Sequence, residues 1–189
     1  MREFFYRSFA VFILAHLILN LSGLSNGFCE EDLRPRFEYG LSLLGGGGDQ
    51  DGLDLRYYAA YPRWGWTFLE RHAFELEGNI GHYRLDSTDM TSLGLQGLFT
   101  YSFYRFKHGN AFIAAGGGLI YLDLDERPQV GDASAVALGQ AGIGLKFVVE
   151  SKKALRLEYR FQHVSDPFDS NDGGWDYHCL ALGVSWLRY

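Results

Sequence analysis

Residues 155–165 read LRLEYRFQHVS. Up to Phe161, apolar Leu155, Leu157, Tyr159 and Phe161 alternate with polar Arg156, Glu158, Arg160 and Gln162. A period of two is the strand period, because successive side chains leave opposite faces of a pleated backbone. Both faces are informative. One is fully apolar, and the other holds charges of both signs.

The same rhythm recurs outward from this stretch. Phe37–Leu43, Leu53–Tyr61, Phe74–Ile80, Leu93–Phe103, 111–123, 135–147 and 180–186 all alternate, which makes eight segments of roughly ten residues, the length of a tilted bilayer-crossing strand. The apolar parity is read as the outer face. The other face is small, polar or charged: Glu38, Asp54, Glu75, Glu77 and Glu158 stand against Arg56, Lys146, Arg156 and Arg160. A soluble barrel would put its apolar face inside. An all-β, eight-stranded antiparallel transmembrane barrel of the outer-membrane type has the inverse arrangement, with a lumen just wide enough for side chains to fill. Closure removes the strand edges that lipid could not satisfy.

Composition agrees. The 189 residues are 47% hydrophobic and 16% aromatic, with 24 Gly, 4 Pro and 21% charged residues, which excludes a disordered chain. A net charge of −6 leaves no footprint for nucleic acid. Mean hydropathy of −0.11 excludes a bundle of apolar helices. Two cysteines cannot build a disulfide framework. The apolar run 8–19 after Arg2 and Arg7 has signal-peptide length, so residues 1–29 are read as a signal peptide cut after 27 or 29, and 30–189 as the barrel. Short connectors at 107–110 and 150–153 are assigned to the periplasm, as is a longer turn over 62–72 with Trp64 and Trp66 at the interface. Long outer loops are expected at 44–52, 84–92, 124–134 and 166–174, and Gly45–Gly48 is read as flexible loop. No cofactor is implied, and the histidines lack metal-site spacing.

At one end of the last two strands the outer parity turns polar. It runs to His163 and Ser165 in the seventh, and back from Leu180 to His178 and Asp176 in the eighth. Ser, His and an acid are the parts of an activated nucleophile, in which the His takes the Ser proton and the acid fixes the imidazole. Asp166, Asp169, Asp172 and Asp176 compete for the acid. Asp176 is preferred because it opens the strand that pairs with His163 and leaves on the same face, with the loop residue Asp172 as its rival. His178 is read as a packing or proton-sharing neighbour.

The stretch LRLEYRFQHVS resembles the penultimate strand of the outer-membrane lipid A 3-O-deacylases, the PagL-like acyloxyacyl hydrolases, which ends in His-x-Ser. Asn171-Asp172-Gly173 resembles the family's Asn-x-Gly before its last strand, and looser similarity extends to YPRWGW at 61–66, the strands around 93–121 and LALGVSW at 180–186. The resemblance implies an outer-membrane esterase with lipid A, or lipopolysaccharide, as substrate. It would remove the 3-linked hydroxyacyl chain with Ser165 as nucleophile, His163 as base and Asp176 as orienting acid. Where family members follow His-x-Ser with Asn-Ala or a similar small pair, this chain has Asp166-Pro167-Phe168. The oxyanion donors would then be the backbone N–H groups of Asp166 and Phe168 or the Asn171 side chain, since Pro167 has none to give. The acid is offset from the family register by one residue, which a bulge at Gly173-Gly174 would absorb. The alternatives are a non-catalytic structural or adhesive barrel with a degenerate site, and a phospholipase of the same membrane.

Overall fold

The computed structural model describes residues 35–50, 53–85, 88–124, 135–165 and 174–189. The proposed signal peptide lies outside the described residues. Eight strands run β1 (Phe37–Gln50), β2 (Leu53–Leu69), β3 (His72–Leu85), β4 (Thr88–Phe106), β5 (Gly109–Leu124), β6 (Ala135–Glu150), β7 (Lys153–Ser165) and β8 (Trp175–Arg188). Each pairs antiparallel with its sequence neighbours and β8 returns to β1, closing the barrel. No described helix is long and apolar enough to cross a membrane, and crossing is by strands.

The outer surface carries the apolar parity. Leu43, Leu93, Leu180 and Leu182 are each more than 60% exposed, a distribution that only a lipid solvent stabilises. At the end that carries the turns 70–71, 107–108 and 151–152, Trp64, Trp66, Phe68, Phe74 and Phe99 face outward, and Tyr39 stacks on Trp186 at 5.6 Å. This is the aromatic girdle of a membrane interface, and the long connections 125–134 and 166–174 lie at the opposite, loop end.

The lumen is packed with paired charge. Arg160 grips both Glu77 oxygens at 2.7 and 2.8 Å and meets Glu158 at 2.9 Å. Arg156 holds Glu75 at 2.8 Å and Glu158 at 2.8 Å, and Lys146 holds Glu38 at 2.6 Å. Arg63 donates to Glu38 at 3.1 Å and to the Ser185 hydroxyl at 2.7 Å. Four acids thus face four bases, each desolvated charge having an opposite neighbour, without which burial would cost several kcal/mol per ion. Nearer the loop end the filling changes to phenols. Tyr57 and Tyr61 share a 2.6 Å hydrogen bond, Asn79 donates to both, and Tyr83 bonds Tyr177 at 2.9 Å.

Four expectations are corrected. First, β2 is turned over: Leu55, Tyr57, Ala59 and Tyr61 are buried in the lumen, while Asp54 and Arg56 lie outside and pair with each other at 3.0 Å. Both parities of β2 carry aromatics, so hydropathy alone does not choose between them. Arg63, on the parity of Tyr61, chooses, because only the lumen supplies its carboxylates. Secondly, residues 62–69 continue β2 and the turn is only Glu70-Arg71. Thirdly, the segments 44–52 and 84–92 are mostly strand, which makes the strands 13–19 residues long instead of roughly ten. Fourthly, Gly45–Gly48 belongs to β1: all four pair with β2, and Gly45, Gly46 and Gly47 pair with β8 as well. A Cβ on Gly46 would stand 2.1 Å from the His178 carbonyl oxygen, and one on Gly48 2.0 Å from that of Asp176. Glycine there is a packing requirement between strands.

Candidate active site on the lipid-facing wall

The polar end of β7 and β8 is held by a regular ladder. Val164 pairs with Trp175, His163 with Asp176, Phe161 with His178 and Tyr159 with Leu180, without a register shift. Side chains alternate strictly along β8: Trp175, Tyr177 and Cys179 are buried in the lumen, and Asp176, His178 and Leu180 are exposed outside. The buried Trp175 and Tyr177 therefore fix the direction of Asp176 between them.

The cross-strand pair brings two of the sequence candidates together. His163 Nδ1 and Asp176 Oδ1 are 2.7 Å apart, with side chains 42% and 58% exposed. That distance is a charge-assisted hydrogen bond. It places the ring proton on Nδ1 and leaves Nε2 free to accept one from a nucleophile. Ser165 is one rung further toward the loop end, half-buried and on the same face, opposite Ala137 of β6. Among the described residues no hydrogen bond joins Ser165 to His163. Two residues along a strand separate their Cα atoms by ~6.7 Å, so contact between Oγ and Nε2 requires Ser165, the last residue of β7, to turn toward the ring. Asn171, Asp166 and Phe168, the candidate oxyanion donors, and the rival Asp172 lie outside the described residues.

Gly174 backs the imidazole. Its φ is +64°, the left-handed region in which a side chain is strained. A Cβ there would stand 2.7 Å from His163 Cε1, 2.9 Å from Nε2 and 2.6 Å from the Val164 carbonyl oxygen. The chain thus enters β8 through a residue that can be only glycine if the ring is to keep its place. The described β7–β8 ladder has no bulge, and the left-handed turn at Gly174 immediately precedes it, while Gly173 lies outside the described residues. Closer to mid-membrane, Tyr159 OH and His178 Nδ1 are 2.5 Å apart, and the His178 ring packs against Phe161 at 5.4 Å. The sequence singled out His178 but missed its partner, whose hydroxyl sits in an otherwise apolar run.

The arrangement is a wall-mounted dyad with a nearby hydroxyl, facing lipid. The family model for lipid A 3-O-deacylase (PagL) matches residues 51–185, a span that includes His163, Ser165 and Asp176. The chain belongs to the lipid A 3-O-deacylase family. Among solved structures it is similar to Neisserial surface protein A, with TM-score 0.63, 13% identity and coverage of 81% of this chain and 97% of that one. It is also similar to the outer membrane enzyme PagL, with TM-score 0.56, 18% identity and coverage of 76% and 97%. A third is Ail, the attachment invasion locus protein of Yersinia pestis, with TM-score 0.52, 10% identity and coverage of 81% and 98%. These likenesses carry the fold. No curated protein sequence matches the chain. A closed barrel with an apolar exterior, in the lipid A 3-O-deacylase family, resides in the bacterial outer membrane.

Proposed function

We propose that this barrel is a serine esterase that removes the 3-linked hydroxyacyl chain from lipid A in the outer leaflet. The observation that carries the reading is the 2.7 Å His163–Asp176 hydrogen bond on the lipid-facing surface, one rung from Ser165. Ser165 Oγ attacks the ester carbonyl carbon while His163 Nε2 takes its proton. Asp176 holds the ring and stabilises the imidazolium. Backbone N–H groups near Asp166 and Phe168, or the Asn171 amide, bind the oxyanion. The carbon–oxygen bond to the sugar then breaks, and His163 returns the proton to the departing sugar oxygen. Water, deprotonated by the same nitrogen, attacks the acyl carbon; the bond to Ser165 Oγ breaks, His163 returns the proton to Oγ, and a free 3-hydroxy fatty acid leaves. Every step stays within reach of a lipid lying against the barrel.

The second reading, a non-catalytic barrel with a degenerate site, is favoured by the missing Ser165–His163 hydrogen bond. Mass spectrometry of lipid A separates the two. Cells making the wild-type chain should yield lipid A lacking one hydroxyacyl group, and cells making Ser165→Ala should not. Unmodified lipid A in both would overturn the deacylase reading.

A further inference from the structure

The Tyr159–His178 pair is unusual where it stands. Its side chains leave the barrel on the lipid-facing parity, His178 one rung and Tyr159 two rungs closer to mid-membrane than the dyad. A phenol is the better donor of the two groups, so across the 2.5 Å contact Tyr159 donates and His178 Nδ1 accepts. The neutral ring then carries its proton on Nε2, with no partner for it among the described residues. The residue directly opposite His178 on β1 is Gly47, which has no side chain to accept it. An N–H held against hydrocarbon without an acceptor is costly, and the ring cannot swing away, being fixed by Tyr159 and packed against Phe161. A lipid lying against this wall can supply the oxygen.

His178 is the diagonal neighbour of His163, two residues beyond Asp176, at a Cβ separation of ~7–8 Å, within reach of two long side chains working on one ligand. An acyl ester attacked beside His163 runs its chain away from the sugar, toward mid-membrane and past His178. The first polar atom met on that path in a 3-hydroxyacyl chain is the hydroxyl two carbons below the carbonyl. A plain acyl chain has none. We propose that His178, oriented by Tyr159, is a specificity-determining residue that donates a hydrogen bond to the 3-hydroxyl, or to the ester oxygen replacing it, and so selects β-oxygenated acyl chains. This rests on the deacylase reading and names the chain that reading acts on.

The test uses the full mature chain refolded in detergent and two glucosamine lipids differing only at O-3, one bearing 3-hydroxymyristoyl and the other myristoyl. The wild-type protein should favour the hydroxylated ester by about tenfold or more in kcat/KM. His178→Phe keeps the ring packing and should bring the ratio near one. His178→Gln, which can donate again, should restore part of it, and Tyr159→Phe, which frees the tautomer, should lower it. A loss of packing alone would slow both substrates together and leave the ratio unmoved. A wild-type ratio near one, or a ratio unaltered in His178→Phe, overturns the inference while the deacylase reading stands. Hydrolysis of neither ester by the wild-type protein overturns both.

Discussion

Consider the substitution Arg160→Met. Arg160 Nη1 and Nη2 form a two-pronged grip on Glu77 at 2.7 and 2.8 Å. Without it, Glu77 keeps a 2.9 Å hydrogen bond from Gln96 and a cation, Arg63, only at 4.0 Å. Glu158 fares better, retaining Arg156 at 2.8 Å. The variant therefore leaves one nearly unpaired carboxylate, the situation that costs ~3–5 kcal/mol in buried sites. Arg63→Met makes an informative contrast. Removing Arg63 orphans no acid, since Glu38 keeps Lys146, Glu75 keeps Arg156 and Glu77 keeps Arg160. What is lost is hydrogen bonding to charged groups, ~1.5–3 kcal/mol. The two arginines are equally buried, yet Arg160→Met should destabilise by about 2 kcal/mol more, a factor of roughly 30 in the folding constant. Equilibrium urea unfolding in lipid vesicles, followed by tryptophan fluorescence, measures the difference. Adding Glu77→Gln to Arg160→Met removes the stranded charge and should recover about half the loss. Equal destabilisation by the two single variants, or no recovery in the double, would refute the partner-by-partner account of the lumen.

Other outcomes follow from the site and the wall. Ser165→Ala should lower deacylation to near background, a loss of several powers of ten, with the heat-modifiable gel band of a folded barrel retained. Asp176→Asn should cut turnover by up to ~10⁴-fold, the scale seen when a triad histidine loses its tautomer partner, while Asp172→Asn changes it little. The reverse ranking in the same assay would give the orienting role to the loop. Gly174→Ala places a methyl where His163 Nε2 and Cε1 lie within 3 Å and adds ~1–2 kcal/mol of backbone strain. Turnover should fall at least about tenfold with an unaltered β-type circular dichroism spectrum, and full activity would show that the ring does not depend on this glycine. The wild-type chain should fold only with detergent or lipid, and a soluble, monomeric folded form in plain buffer would contradict the apolar exterior.

The strands carrying the candidate site were the most legible, and the reason is chemical. On β7 and β8 one parity is apolar and the other charged or small, so period and direction are both set. His163 and Asp176 therefore share one face, where Nδ1 and Oδ1 are 2.7 Å apart. On β2 the tyrosines obscured direction. A phenol suits a lipid interface and a packed lumen equally well, and Arg63 was the deciding residue. Strand length is less legible, because glycine reads as loop. Gly46 and Gly48 are glycine because neighbouring backbone lies within van der Waals reach of any Cβ, a fact of pairing that sequence does not show. Gly174 was legible as a backbone irregularity, but its contact with the His163 ring depends on two strands meeting. The Tyr159–His178 bond was hidden for the same reason, since cross-strand partners are fixed by register.

The filled lumen also has an electrical meaning. A conducting barrel needs a continuous file of water in which an ion can exchange one hydration shell for another. Here the cross-section is occupied by guanidinium and carboxylate groups already neutralised by each other, and above them by rings bonded hydroxyl to hydroxyl. An entering ion would find the described charges of the lumen already compensated and its path filled by side chains. In a planar bilayer the barrel should behave as an insulator, so a cell can carry many copies in its outer membrane without adding a leak.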